Sequence, residues 1–385
     1  MDMIDRPIDK KEVENRIRAF PATAILGPRQ CGKTTLAREF PHDHYFDLEN
    51  PRDLAALENP QLALEDLEGL IVIDEIQRLP EIFPLIRYLV DSRPAQKYLI
   101  LGSASRDLIR QSSESLAGRI AYFHLGGFRL HDVGEKNFKR LWLSGGLPPA
   151  YIPASPEHSR LWLQNYITTF LERDIPQLGI NIPAQTLRRF WTMTAHYHGQ
   201  IVNYAELARS FGISDITVRR YIDILEGTFM LRTLQPWHVN IGKRVVKKPK
   251  IYLRDSGIFH ELMSIESLDQ LTAHPKLGAS WEGFALECAC RSIGKNDREF
   301  FFWHVHAGSE LDLFWQHAGK SWGMEFKYAD APRLTRSMSI VSEDLNLEHL
   351  WIIYPGKRAY RLSEKTTVMP IADVPASWRY PESAP

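Results

Sequence analysis

The chain has 385 residues, of which 44% are hydrophobic and 24% charged, the composition of a folded protein with room for two or three domains, which excludes a disordered chain. Its 47 Lys and Arg residues balance its 47 Asp and Glu residues, so bulk charge argues neither for nor against nucleic acid and only local patches can. The three cysteines, Cys31, Cys288 and Cys290, form no Cys-x-x-Cys pair, which argues against a disulfide framework and for a reducing compartment.

In chain order, the opening MDMIDRPIDKKEV carries no basic region followed by an apolar run, so no signal peptide is expected. An amphipathic helix is predicted over 11–19 and an apolar strand over 23–26. A glycine-rich loop follows, opening a helix at LAREF. Further strands are predicted over 43–48, 70–73 and 97–101, with helices over 52–68 and 81–91. Strands that read apolar throughout and alternate with helices predict a parallel sheet covered on both faces. Beyond Phe128 the pattern changes: helices over 135–144 and 159–174, several short helices over 186–226, a strand-like basic stretch over 227–254, a helix over 280–293, and alternating strands over 299–354. The proline-rich tail after Pro370 is expected to pack loosely. The aromatic run Phe300, Phe301, Phe302 and Trp303 is expected in a core or on a sheet surface. No apolar run approaches the roughly 20 residues of a membrane helix, so a cytoplasmic protein is expected, with no membrane partner. Boundaries are placed to give segments 1–128, 129–185, 186–262 and 263–385.

The residues Gly27-Pro28-Arg29-Gln30-Cys31-Gly32-Lys33-Thr34 match G-x-x-x-x-G-K-[ST] in full. Glycines let a backbone wrap phosphate oxygens without a Cβ in the way, and the following helix points free N–H groups at them. Lys33 supplies positive charge to the β and γ phosphates, the Thr34 hydroxyl suits Mg²⁺, and Thr35 completes the expected nucleotide contacts. The strand over 70–73 ends at Asp74-Glu75. An aspartate at that edge is suited to hold Mg²⁺, and the glutamate beside it to orient water and take its proton. Ser103, ending the next predicted strand, is a candidate sensor of the γ phosphate. Arg119 is a candidate for neutralising transition-state charge, in its own subunit or a neighbour's, with Arg106 and Arg110 as alternatives.

Residues 20–130 resemble the bacterial and archaeal AAA-type ATPases whose domain is known as AAA_14. The likeness rests on GPRQCGKTTLA, YFDLE at 45–49, IDEIQRLPEIFPLIRYLVD at 73–91, and LGSASRDLI with SESLAGRI at 101–120. The resemblance implies an ATPase core with Lys33, Asp74 and Glu75 in their usual roles, and oligomerisation.

The stretch NYAELARSFGISDITVRRYIDILE at 203–226 reads as two helices joined at Gly212, the second capped by Ser214-Asp215. Arg219 and Arg220 on the second helix are candidate DNA contacts. From 227 to 254 there are seven basic residues, Arg232, Lys243, Arg244, Lys247, Lys248, Lys250 and Arg254, and no acid before Asp255. Arg244, Lys247, Lys248 and Lys250 join the DNA contacts on that reading, which treats the segment as a winged helix; a protein-contact role is the rival.

Finally, Glu282 lies on a predicted helix, Asp312 in GSELDLFW, and Glu325 and Lys327 in EFKY. Residues 325 and 327 of a strand share one side, and a hairpin would bring Asp312 to them, giving two carboxylates suited to a second Mg²⁺ or Mn²⁺ and a lysine beside them. This resembles the PD-(D/E)XK nuclease superfamily, whose helical glutamate, aspartate and acid-x-Lys match Glu282, Asp312, Glu325 and Lys327, with Glu287 as an alternative helical ligand. More closely, residues 160–355 resemble the DUF4143 domain, through LERDIP, KKPKIYLRDSGI, LGASWEGFALE and ELDLFW. The expected fold is α/β: an AAA-like P-loop parallel sheet, a helical linker and winged helix, then a nuclease-like domain. The expected function is Mg²⁺-dependent ATP hydrolysis coupled to DNA binding or remodelling. The alternatives are an ATP-gated protein-interaction module with an inactive nuclease-like domain, and an ATP-dependent DNA nuclease.

Overall fold

The computed structural model describes residues 4–103, 112, 114–238, 246–305 and 308–380. The chain divides into two compact units, Met1–Phe128 with Gly227–Phe229 and Arg129–Glu226 with Met230–Pro385.

In the first unit the apolar runs form strands β1 (Ala22–Gly27), β2 (His44–Asp47), β3 (Gly69–Asp74), β4 (Gln96–Ser103) and β5 (Ile120–His124). They lie in the order β2-β3-β4-β1-β5 with every pairing parallel. Each residue of β1 is buried, as befits a central strand covered on both faces. Helices α1 (Pro7–Ala19) and α2 (Lys33–Ala37) flank it in sequence. The helix expected over 52–68 is instead two short ones, α3 (Pro51–Ala56) and α4 (Pro60–Leu64). Pro60 lacks the N–H that a continuing helix needs but suits a first turn, and Asn50 and Asn59 cap the two starts by accepting from Arg52 and Leu62. Helix α5 (Phe83–Ser92) presents Phe83, Ile86 and Leu89 to the core, where they meet Ile71, Ile73 and Ile100. Because all five strands run the same way, Gly27, Asp74 and Ser103 end at one edge of the sheet, with β4 between β1 and β3.

The second unit holds helices α6 (Pro156–Thr169), α7 (Ala184–His196), α8 (Tyr204–Phe211), α9 (Asp215–Gly227), α10 (Ser256–Leu262), α11 (Leu277–Ile293) and α12 (Arg336–Asp344). Its strands are β6 (Gln200–Ile201), β7 (Leu231–Pro236), β8 (Lys250–Leu253), β9 (Phe301–His304), β10 (Glu310–His317), β11 (Lys320–Phe326), β12 (Leu347–Tyr354), β13 (Tyr360–Ser363) and β14 (Thr366–Pro370). They form one mixed sheet in the order β13-β14-β12-β11-β10-β9-β7-β8-β6. Helix α12 interrupts the expected run of strands: Thr335 caps it, and it bridges the parallel pair β11 and β12, which a tight turn cannot join. Phe300, Phe302 and Trp303 are buried. Over its described residues, to Tyr380, the tail does not pack loosely. Trp378 is buried edge-on to Trp351, with ring centroids 4.8 Å apart, and Tyr380 stacks on His317 at 3.8 Å. Among the described residues, no helix is long and apolar enough to cross a membrane.

Just after α7, His198 is buried with its Nδ1 accepting from the Leu253 N–H at 2.9 Å. A Cβ on Gly283 would lie 2.1 Å from its Nε2, so only glycine fits there. Burial pushes the His198 pKa down to about 3, with His260 adding to the effect. A lowered histidine pKa stabilises the fold above the unfolded value near 6.5 and loses that contribution as pH falls toward 3. Over that window each pH unit costs about 1.4 kcal/mol. Denaturant titrations of the wild type and His198→Gln are expected to show a shallower loss of stability with acid in the variant.

Candidate functional site

The phosphate loop joins β1 to α2. Its backbone is set by Gly32, at φ 97°, and by Gln30, at φ 62°. Gly27 has no room for a side chain, since a Cβ would lie 2.1 Å from the Leu125 carbonyl oxygen. Lys33 is buried, and its Nζ donates to the carbonyls of Gly27 at 3.2 Å and Pro28 at 3.0 Å. Those partners are neutral, so a phosphate chain would outbid them. Asp74, buried at the end of β3, accepts from Thr34 Oγ1 at 2.7 Å and from the Tyr45 hydroxyl at 2.7 Å, both at Oδ2. Burial first, then the Asp74 hydrogen bond, pushes the Tyr45 pKa well above the ordinary phenol value. Thr34 and Asp74 are hard oxygen donors side by side, a set that fits Mg²⁺.

Glu75 stands beside them in the left-handed region, at φ 57°, a conformation that non-glycine residues adopt rarely and mostly at functional positions. Gln77 ties it to the next strand: its amide donates to the Glu75 carboxylate, and its Oε1 accepts from the Ser103 N–H at 3.3 Å. The Ser103 hydroxyl is buried with no hydrogen-bond partner among the described residues. Arg119 forms an ion pair with Asp91 at 2.5 Å, which lowers the Asp91 pKa. Arg106 and Arg110 lie outside the described residues.

Sequence alone does not single out Tyr45, Gln77 or Arg6. Tyr45 and Gln77 lie in the YFDLE and IDEIQ strings, which offer a signal; Arg6 offers none, because the carbonyls it meets are far away in the chain. Its guanidinium donates to the carbonyls of Cys31 at 2.8 Å, Gly126 at 2.9 Å and Gly127 at 2.8 Å, and pairs with buried Asp9 at 2.8 Å. Arg6 thereby braces the back of the phosphate loop.

The second unit brings Glu282, Asp312, Glu325 and Lys327 together, with two additions, Lys250 and Glu310. Lys327 reaches Glu325 at 2.6 Å and Asp312 at 3.8 Å. Lys250, expected as a DNA contact, is instead buried and points into the cluster. It lies 3.2 Å from Glu282 and 3.6 Å from Asp312, and it also pairs with Glu310. On β8, Lys250 and Tyr252 share one side, and the Tyr252 hydroxyl donates to Glu282 at 2.7 Å. A buried ammonium demands such partners. Burial disfavours the Lys250 charge, but Glu282 and the other surrounding acids hold its pKa well above the ordinary lysine value. Burial raises Glu310 too, yet the His304 hydrogen bond and Lys250 bring it down to about 2. Burial, then Asp312, pushes Glu282 up to about 7 and Glu325 well above the carboxylate range.

The expected metal does not fit this cluster. Both Asp312 oxygens are engaged, Oδ1 by Lys250 and Oδ2 by the Phe326 N–H at 3.0 Å. Among the described residues, no group of three or more His, Cys, Asp or Glu side chains is arranged to hold a metal ion. Glu287, the alternative ligand, is turned to a separate network with Arg232 at 2.5 Å. Arg232 is buried there and pairs also with Asp297, as does Arg254, so the basic stretch is in part internal. Arg219, Arg220, Lys247 and Lys248 are exposed, Arg219 lying 3.9 Å above the Tyr204 ring. Lys243 and Arg244 lie outside the described residues.

A glycine-rich loop after a buried parallel strand, with Thr34 and Asp74 joined and an acid beside them, defines a P-loop ATPase domain. Residues 19–133 match the family described as "AAA domain". Residues 135–269 match "Domain of unknown function (DUF8612)" and 277–374 match "Domain of unknown function (DUF4143)". The DUF4143 match thus begins later than the expected 160–355 and runs further, to residue 374. The chain is 46% identical over 372 residues to "Uncharacterized protein Rv2008c" of Mycobacterium tuberculosis, covering 94% of this chain and 84% of the relative. "Uncharacterized protein Mb2031c" of Mycobacterium bovis gives the same identity and coverage. The chain belongs to the family of these mycobacterial proteins, an AAA-type ATPase domain fused to a DUF4143 domain. The solved structure of the Walker-type ATPase PABY2304 of Pyrococcus abyssi aligns with 68% of this chain and 96% of its own, at 16% identity and a TM-score of 0.44.

Arg6→Ala is expected to destabilise the first unit by about 3 kcal/mol, because it removes the guanidinium that pairs with buried Asp9 and donates to three loop carbonyls. Denaturant unfolding reads that loss. Nucleotide affinity, measured by fluorescent-nucleotide titration below the unfolding midpoint, is expected to fall with it.

Proposed function

We propose that this protein is a Mg²⁺-dependent ATPase that couples ATP turnover to DNA binding or remodelling. The observation that carries the ATPase reading is the shared hydrogen bonding of Thr34 and Tyr45 on Asp74 beside Lys33 and the backbone-constrained Glu75. Lys33 exchanges its carbonyl partners for the β and γ phosphates. Thr34 and Asp74 would hold Mg²⁺, which neutralises phosphate charge when bound. Glu75 orients a water and accepts its proton, and Gln77 holds the Glu75 carboxylate toward β4, where Ser103 awaits a polar partner. Arg119 is a charge-neutralising candidate once released from Asp91. A homo-oligomer would let it serve a neighbouring subunit.

The DNA reading rests on the segment α7, β6, α8, α9, β7 and β8. That element order is the winged-helix order, with Arg219 and Arg220 exposed on the second helix of the pair and Lys247 and Lys248 exposed before β8. The remaining strands and α11 support a nuclease-like lineage through Glu282, Asp312, Glu325 and Lys327. One observation favours a second reading, an ATP-gated interaction module that cuts nothing: the lysine buried among those carboxylates.

ATP turnover measured with and without duplex, single-stranded and branched DNA tests the coupling; turnover indifferent to every DNA would leave the interaction reading. Lys33→Ala is expected to lose nucleotide binding. Glu75→Gln is expected to bind ATP normally and turn over about 10²- to 10⁴-fold more slowly; near-normal turnover would remove Glu75 from the mechanism.

DNA affinity is expected to weaken steeply with salt, and each of Arg220→Ala, Lys247→Ala and Lys248→Ala to lower the salt slope by about 1. Binding indifferent to salt and to all three changes would reject the surface.

A further inference from the structure

We propose that the carboxylate cluster of the second unit is closed by its own lysine: the Lys250 ammonium holds the place among Glu282, Glu310 and Asp312 that a divalent cation would need, so the wild-type cluster takes up neither Mg²⁺ nor Mn²⁺. The expectation of a metal there rests on the nuclease-like reading above, but the charge geometry stands without it.

Two elements converge on this one ammonium, which a third carries. Glu282 comes from α11, and Glu310 and Asp312 share one side of β10. Lys250 enters from β8, across β7 and β9 in the sheet order. The Phe302 ring lies 5.6 Å from the Lys250 ammonium and covers it with apolar surface. Each of these carboxylates already has at least one oxygen engaged. Glu282 Oε1 accepts from both Lys250 and Tyr252, Asp312 faces Lys250 with one oxygen and the Phe326 N–H with the other, and Glu325 faces Lys327. A divalent ion in this space would sit against a buried positive charge, where repulsion is poorly screened. The lysine supplies the counter-charge that the buried acids require, and supplies it permanently, because it is tethered.

Thermal unfolding of the full chain in chelator and in saturating Mn²⁺ tests this with the wild type, Asp312→Asn, Lys250→Met and the double variant. The wild type and Asp312→Asn are expected to respond to Mn²⁺ identically. Lys250→Met is expected to be less stable than the wild type in chelator and to gain about 5 °C or more with Mn²⁺, a gain lost in the double variant. An Asp312-dependent Mn²⁺ response in the wild type would overturn the proposal, and so would a folded Lys250→Met that gains nothing. If Lys250→Met does not fold, Lys250→Arg replaces it: a fold retained with no Mn²⁺ response supports the proposal, and an Asp312-dependent response sinks it. DNA cleavage assayed on the same samples separates the two ideas. Mn²⁺ uptake by Lys250→Met without cleavage supports the lysine closure and discards only the nuclease-like reading. Asp312-dependent cleavage by the wild type overturns the closure.

Discussion

A charge removed from water must find an opposite charge or a set of aligned dipoles, and that requirement shapes both candidate sites. In the first unit Lys33, Asp74 and Arg6 are all buried, and each is satisfied differently: by loop carbonyls, by two hydroxyls, and by three carbonyls plus Asp9. In the second unit the same requirement draws Lys250 to Glu282, Glu310 and Asp312, and Arg232 to Glu287 and Asp297. The sheets decide where such charges can be placed, because a parallel edge and an alternating strand each put polar groups at fixed positions.

The partners of the two buried lysines differ in kind, and the difference has a chemical consequence. Lys33 is held by neutral carbonyls, which are weaker acceptors than an ionised phosphate. Exchange costs little and gains much, so the loop is poised for an anion. Lys250 is held by carboxylates, which no incoming cation can improve upon without first displacing the ammonium and leaving it unpaired. One arrangement is open to its ligand, whereas the other is complete.

The phosphate loop and the β3 acids were readable because each is a run of adjacent residues that follows an apolar strand: the motif, the strand and the turn that exposes it all lie within a few positions. Other features depended on distance. Arg6 meets loop carbonyls 25, 120 and 121 residues away, and no local pattern marks such a brace. Lys250 sits in a basic run, and its strand alternates Lys250, Ile251, Tyr252 and Leu253, which reads equally well as a strand with one side in water. Both sides are in fact buried, and only the sheet order reveals that the polar side meets α11 and β10. The broken helix at Pro60 and the cap at Thr335 were visible in principle, since both are local proline and hydroxyl signals.

Family boundaries along the chain are not boundaries in the fold. β6, β7 and β8 belong to the segment that matches DUF8612, and β9 to β14 to the segment that matches DUF4143, yet all nine strands form one sheet through the parallel pairing of β7 with β9. The charges cross the same line: Lys250 and Arg232 come from the first segment, and Glu282, Glu310, Asp312, Glu287 and Asp297 from the second. Separating the segments would therefore expose two sheet edges and strand both sets of charges at once. The lone carboxylates would repel one another, and the lone lysine would favour its neutral form. The two segments must fold as one body for either to have a satisfied interior, and a cluster built this way answers first to the fold's electrostatics, with any chemistry having to begin by prising its own cation out.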